Sequence, residues 1–133
     1  VVLIKKGRRK KPTPGTRGGD AIDAVLEMVS PPLGTLEAKG GVNAGGIFEI
    51  HKAGLKIGRD AAQCDIVIDN PHVSWEHAWV GEEGGSIVLK DLNSANGVFV
   101  NVLSRRVASE ALQNGDLVII GKGKMASFVY KEV

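Results

Sequence analysis

The hydrophobic rhythm of the chain changes once. Between Ala21 and Val29 the apolar residues Ile22, Val25, Leu26 and Val29 recur at helical spacing, with Asp20 placed as an N-cap and Ser30-Pro31-Pro32 as a stop. This predicts a short amphipathic helix and connector over 20–32, its apolar face packed on the domain or merely fraying rather than binding a partner, because a free helix this short is marginal. From Leu33 onward helical spacing does not return. LGTLEAK, GIFEI, GLKI, CDIVID, HAWV, SIVLKD, GVFV, LSRRVA, DLVII and ASFVYK are short, often alternating runs rich in β-branched residues, punctuated by Gly, Asn, Asp and Pro. That pattern predicts an all-β domain, an antiparallel β-sandwich of about ten strands. Ile66, Ile68, Ile87, Leu89, Phe99, Leu117, Ile119 and Phe128 are expected to face its interior. The glycine-rich stretch GGVNAGG at 40–46 lacks GxGxxG spacing and a following helix, so it reads as a hairpin loop and not as a phosphate cradle.

A chain of 133 residues suits one domain with a tail. The expected division is a basic, Pro/Gly-rich flexible tail over 1–19, the helix and connector over 20–32, and the β-domain over 33–133. Charge sharpens this division. Lys5, Lys6, Arg8, Arg9, Lys10 and Lys11 contribute six positive charges to a formal net charge of +2, which leaves −4 for the rest. The domain itself is therefore mildly acidic, and a general nucleic-acid surface on it is excluded. Only the tail has the charge to meet a polyanion or an anionic membrane surface. Val1-Val2-Leu3-Ile4 before the basic run also fits the cytoplasmic flank of a transmembrane segment preceding Val1, although four apolar residues span nothing themselves. The alternative is a solvated linker or a targeting patch. The single cysteine, Cys64, excludes an internal disulfide framework and a cysteine-based zinc site, and a reducing, cytoplasmic location fits it.

Three polar clusters end strand-like runs: Gly58-Arg59, Ser74 with His77, and Ser94 to Gly97. Strands on either side would bring their loops to a common rim. An arginine offers a permanently charged planar fork for phosphate or carboxylate oxygens. Ser74 supplies a neutral donor beside it or closes a turn after Pro71-His72-Val73. Asn96-Gly97 reads as a hairpin turn between SIVLKD and VFV, and a primary amide there can hold a peptide backbone. Asn114-Gly115-Asp116 is a second turn with no further role indicated. His72 and His77 stand five apart in no common metal-ligand spacing, and Ser74 lies in no nucleophile elbow. His77 therefore reads as a satisfied histidine pinning one loop to another, and no catalytic or metal site is expected.

Taken together, Gly58-Arg59, DIVID, Val73-Ser74-x-x-His77-Ala78, DLNSANG, VFVN and LQNGDLVIIG resemble the forkhead-associated (FHA) domain, over about residues 33 to 133 and most densely from Gly58 to Gly121. The resemblance implies a β-sandwich of eleven strands that recognises phosphothreonine in partner proteins, in Ser/Thr-kinase signalling, without catalysis, cofactor or small-molecule substrate. Residue by residue, it implies that Arg59 and Ser74 contact phosphate and that Asn96 holds the peptide main chain. His77, Gly58 and Gly97 would brace and shape the loops, with Trp75 a further candidate for ligand contact. The sequence departs from the family pattern at Ala95, where a Ser or Thr is usual, at Trp75, where a polar or basic residue is frequent, and at Val98 and Val102. These departures motivate the alternative of a scaffold with the same fold whose protein association or self-association is independent of phosphate.

Overall fold

The computed structural model describes residues 31–133. The helix expected between Ala21 and Val29 and the basic run from Lys5 to Lys11 lie outside those residues. Eleven strands follow in chain order: β1 Gly34–Gly40, β2 Ile47–Ile50, β3 Leu55–Gly58, β4 Ile66–Val67, β5 Ala78–Glu83, β6 Ser86–Asp91, β7 Val98–Val100, β8 Arg106–Val107, β9 Ser109–Ala111, β10 Leu117–Ile120 and β11 Ala126–Glu132. They form two sheets, a six-stranded one in the order β2-β1-β11-β10-β7-β8 and a five-stranded one in the order β4-β3-β5-β6-β9. Only the short β3–β4 pair, with Ile57 opposite Ile66, is parallel among the pairs of the described residues. The β-sandwich read from the strand signals is therefore what the chain forms.

Alternation explains the core. In β1, Leu36 and Ala38 point inward while Thr35, Glu37 and Lys39 face out; in β6, Ile87 and Leu89 enter the core from the other sheet. Ile66, Ile68, Ile87, Leu89 and Phe128 lie in this interior cluster as the pattern predicts.

Phe99, Ile119 and Leu117 do not. Phe99 and Ile119 are opposite each other in the β7–β10 register and are buried, yet they stay outside the interior cluster, which takes Val98, Val100, Val118 and Ile120 from the same strands. Leu117 is half-buried. The runs VFV and LVII are apolar at every position, so nothing in them sets which residues face inward.

Two local readings also change. The run LSRRVA supplies only β8, and the chain then changes sheets at Ala108 to form β9, with the Ala108 carbonyl accepting the Asp91 amide at 2.9 Å. Asn96-Gly97 is not a hairpin turn, because β6 and β7 belong to different sheets and the loop between them crosses the sandwich. Gly97 does take a positive φ of 82°. That crossing carries the 91–97 loop over the end of the sandwich where β3 and the approach to β5 also finish.

Candidate functional site

The first wall of the site is the loop after β3. Gly58 packs so closely under the β4–β5 connection that an added Cβ would lie 2.4 Å from the Trp75 carbonyl. The next amide, of Arg59, donates to the Ser74 and Trp75 carbonyls at 3.0 and 3.1 Å, and the Asp60 amide also reaches the Trp75 carbonyl at 3.1 Å. The Cys64 thiol donates to that same carbonyl at 3.2 Å. Arg59 and Ser74 are thus held side by side through backbone bonds, although fifteen positions separate them in sequence. Among the described residues Arg59 pairs with no carboxylate; its guanidinium stacks over the Trp75 ring at 4.8 Å.

The second wall is the approach to β5. The Asn70 side chain accepts the His72 amide at 2.8 Å and its carbonyl accepts the Val73 amide at 2.9 Å, a local Asx turn. Asn70 therefore closes that turn, and the Ser74 hydroxyl reaches across to accept the Ala95 amide at 3.1 Å. Its own proton remains to be donated.

His77 is fully buried and connects the walls. Its Nδ1 accepts the Ser74 amide at 3.1 Å and its Nε2 donates to the Gly97 carbonyl at 2.8 Å. An amide can only donate and a carbonyl only accept, so the ring is the neutral tautomer protonated at Nε2. Burial lowers its pKa below the usual imidazole value; the Gly97 bond and Asp91 oppose that shift, while Arg106 adds to it. With both nitrogens engaged, His77 has no lone pair for a substrate and acts as a brace.

The third wall is the 91–97 loop. Asp91 Oδ1 accepts the Ser94 amide and Ser94 Oγ accepts the Gly97 amide, both at 2.9 Å. Arg106 Nη2 donates to the Ser94 carbonyl at 3.2 Å and stands 3.8 Å from Asp91 Oδ2. The Asn96 Nδ2 donates to the His72 carbonyl at 2.7 Å. Ala95 is exposed beside Ser74 and adds no hydroxyl.

The structure therefore brings Arg59, Ser74, Trp75 and Asn96 onto one rim, with Gly58, His77 and Gly97 beneath it. Sequence reasoning named Ser94 only as the start of the third polar cluster and missed Arg106; both shape the third loop from below. The spacing Asp91-x-x-Ser94-x-x-Gly97 carries the signal of two successive side-chain-to-amide turns, but nothing local marks Arg106 as their support. Chemically the rim offers one half-buried guanidinium with no acid partner among the described residues, one hydroxyl and one carboxamide, over a hydrogen-bonded base. This suits a doubly charged anion on an extended chain.

The family model for the FHA domain matches residues 55–121. The oxoglutarate dehydrogenase inhibitor of Corynebacterium diphtheriae is 37% identical over 110 residues, covering 81% of this chain and 75% of that protein. The glycogen accumulation regulator GarA of Mycolicibacterium smegmatis is 34% identical over 112 residues, covering 84% and 69%. Among solved structures, Mycobacterium tuberculosis EmbR in complex with a low-affinity phosphopeptide superposes with a TM-score of 0.63 at 25% identity, over 87% of this chain and 30% of that one.

Proposed function

The chain belongs to the FHA-domain family of non-catalytic, phosphothreonine-binding modules, and we propose that its own phosphothreonine site is the rim of Arg59, Ser74 and Asn96. The observation that carries this reading is the backbone bond between the Arg59 amide and the Ser74 carbonyl at 3.0 Å, which fixes a permanent cation beside a hydroxyl. A phosphothreonine brings nearly two negative charges and three strong acceptor oxygens. The Arg59 fork takes two of those oxygens, and the Ser74 hydroxyl donates to the phosphate while it accepts from Ala95. Asn96, braced on the His72 carbonyl, presents Oδ1 to a main-chain amide of the peptide. None of these contacts depends on the peptide's other side chains, so the rim reads the modification and the extended backbone first.

The test is titration of phosphothreonine peptides and their unphosphorylated copies against the domain. Arg59→Ala and Ser74→Ala should each weaken the phosphorylated ligands about ten-fold or more, since hydrogen bonds to a charged group contribute about 1.5–3 kcal/mol. Equal binding of both peptide forms would overturn the assignment. The 62% exposure of Trp75 supports a second reading, association independent of phosphate; concentration-dependent self-association surviving Arg59→Ala would favour it. A cytoplasmic setting with Ser/Thr kinases suits the phosphothreonine reading and the free thiol of Cys64.

A further inference from the structure

Among the described residues, Trp75 is the only aromatic side chain in the set of large exposed hydrophobics. Its exposure is not a sign of a loose loop. The Trp75 carbonyl receives the Arg59 and Asp60 amides and the Cys64 thiol, and Gly58 leaves no room for it to move inward. The backbone is anchored while the indole projects from it, covered on one side by the Arg59 guanidinium at 4.8 Å. A peptide whose phosphate lies on Arg59 must pass this ring.

The neighbours of the ring limit what it can accept. Glu76, the next residue, is paired with Lys56 at 3.0 Å, and the charge that stands over the indole is that of Arg59. A basic ligand side chain over the ring would face that like charge. An acidic one would be drawn to the guanidinium in competition with the phosphate. A neutral ring meets neither penalty and removes apolar surface from water on both partners.

We propose that Trp75 is a stacking platform that makes this rim select phosphothreonine peptides carrying an aromatic or prolyl residue at one position flanking the phosphothreonine. This inference rests on the phosphothreonine reading of Arg59 and Ser74.

The test is an arrayed library of phosphothreonine peptides, degenerate at the flanking positions and paired with unphosphorylated copies, probed with the parent chain, Trp75→Ala and Trp75→Phe. The parent should favour ring-bearing residues over alanine at one flanking position by about two- to ten-fold, the range expected of an aromatic pair. Trp75→Phe should keep a weaker form of that preference. Trp75→Ala should lose it while still preferring phosphorylated peptides. A uniform loss of affinity in Trp75→Ala with an unchanged side-chain profile would mean that the indole only props Arg59, and would overturn the inference alone. Equal binding of phosphorylated and unphosphorylated peptides by the parent would overturn it together with the phosphothreonine reading.

Discussion

The buried ring of His77 donates from Nε2 to the Gly97 carbonyl at 2.8 Å, tying the approach to β5 to the loop that crosses between the sheets. The same carbonyl accepts the Gly121 amide at 2.9 Å, so the six-stranded sheet and the brace meet on one oxygen. Because Nδ1 of the ring takes the Ser74 amide, the positions of Ser74 and Gly97 are set by one side chain in one protonation state.

That state makes stability depend on pH. Protonating Nδ1 would turn it against the Ser74 amide, and burial already lowers the His77 pKa below its ordinary 6.5. Above that value the ring is neutral in folded and unfolded chains, and His77 adds no pH dependence. Below it the unfolded chain takes up a proton that the fold resists, so stability falls as the pH drops. The urea midpoint should decline as the pH falls below about 6.5. His77→Gln should be less stable at neutral pH by about 1–3 kcal/mol and show a shallower decline. Parallel pH profiles for the two proteins would rule out this role for His77.

The strands were legible because many of them alternate, and Leu36 and Ala38, set between Thr35, Glu37 and Lys39, can be phased from that alternation alone. VFV and LVII cannot, which is why Phe99 and Ile119 were assigned to the wrong face. The rim residues were legible for a different reason: Arg59, Ser74, His77 and Asn96 stand at spaced positions characteristic of a family, and the fold brings those positions together. The same Asn-Gly pair misled when read locally, since a positive φ at Gly97 says that the chain turns and not which strand it turns toward. Arg106 was not legible because its hydrogen bond goes to the Ser94 carbonyl, twelve positions away, and a backbone carbonyl leaves no mark in a sequence.

Ala95 offers a gain of function. Its amide already bonds Ser74 Oγ at 3.1 Å, so a serine at this exposed position would add a second hydroxyl beside the first. Ala95→Ser should tighten phosphothreonine peptides about two- to ten-fold, the equivalent of one hydrogen bond of about 0.5–1.5 kcal/mol. Unphosphorylated peptides should bind as before, and thermal stability should shift little. Isothermal titration checks this; an unchanged affinity would mean that the phosphate does not lie over Ala95.

Cys64 should be a quiet thiol. Burial, with the charges of Asp60 and Glu76, pushes its pKa up to about 11 against the Asp60 backbone bond and Lys56, which pull the other way. The thiolate is the reactive form. Two pH units above the ordinary 9.0, the native residue holds about one hundredth of the thiolate of the unfolded chain at neutral pH. Iodoacetamide should therefore label the folded protein far more slowly than the protein in urea, as followed by intact mass. Equal rates would show that the Cys64–Trp75 contact opens readily, and with it the loop that carries Arg59.

Gly58 is restricted by space rather than by conformation. Among the described residues it is not one of those with positive φ, yet a Cβ there would lie 2.4 Å from the Trp75 carbonyl and 2.8 Å from Cys64 Sγ. That carbonyl cannot retreat without releasing the Arg59 and Asp60 amides. Gly58→Ala should cost about 1–3 kcal/mol, as overpacking does, and should also weaken phosphopeptide binding because it pushes the Arg59 loop away from Ser74. Gly115→Ala provides the contrast. Nothing lies within 4 Å of its added Cβ, but its φ of 92° disfavours any side chain, and it precedes β10 at the end remote from Gly121 and the rim. Its cost should be about 1–2 kcal/mol with phosphopeptide affinity unchanged. Urea denaturation and peptide titration on both variants separate the two effects, and a Gly58→Ala protein that binds phosphopeptides normally would show that the close approach of Gly58 to Trp75 does not position the rim.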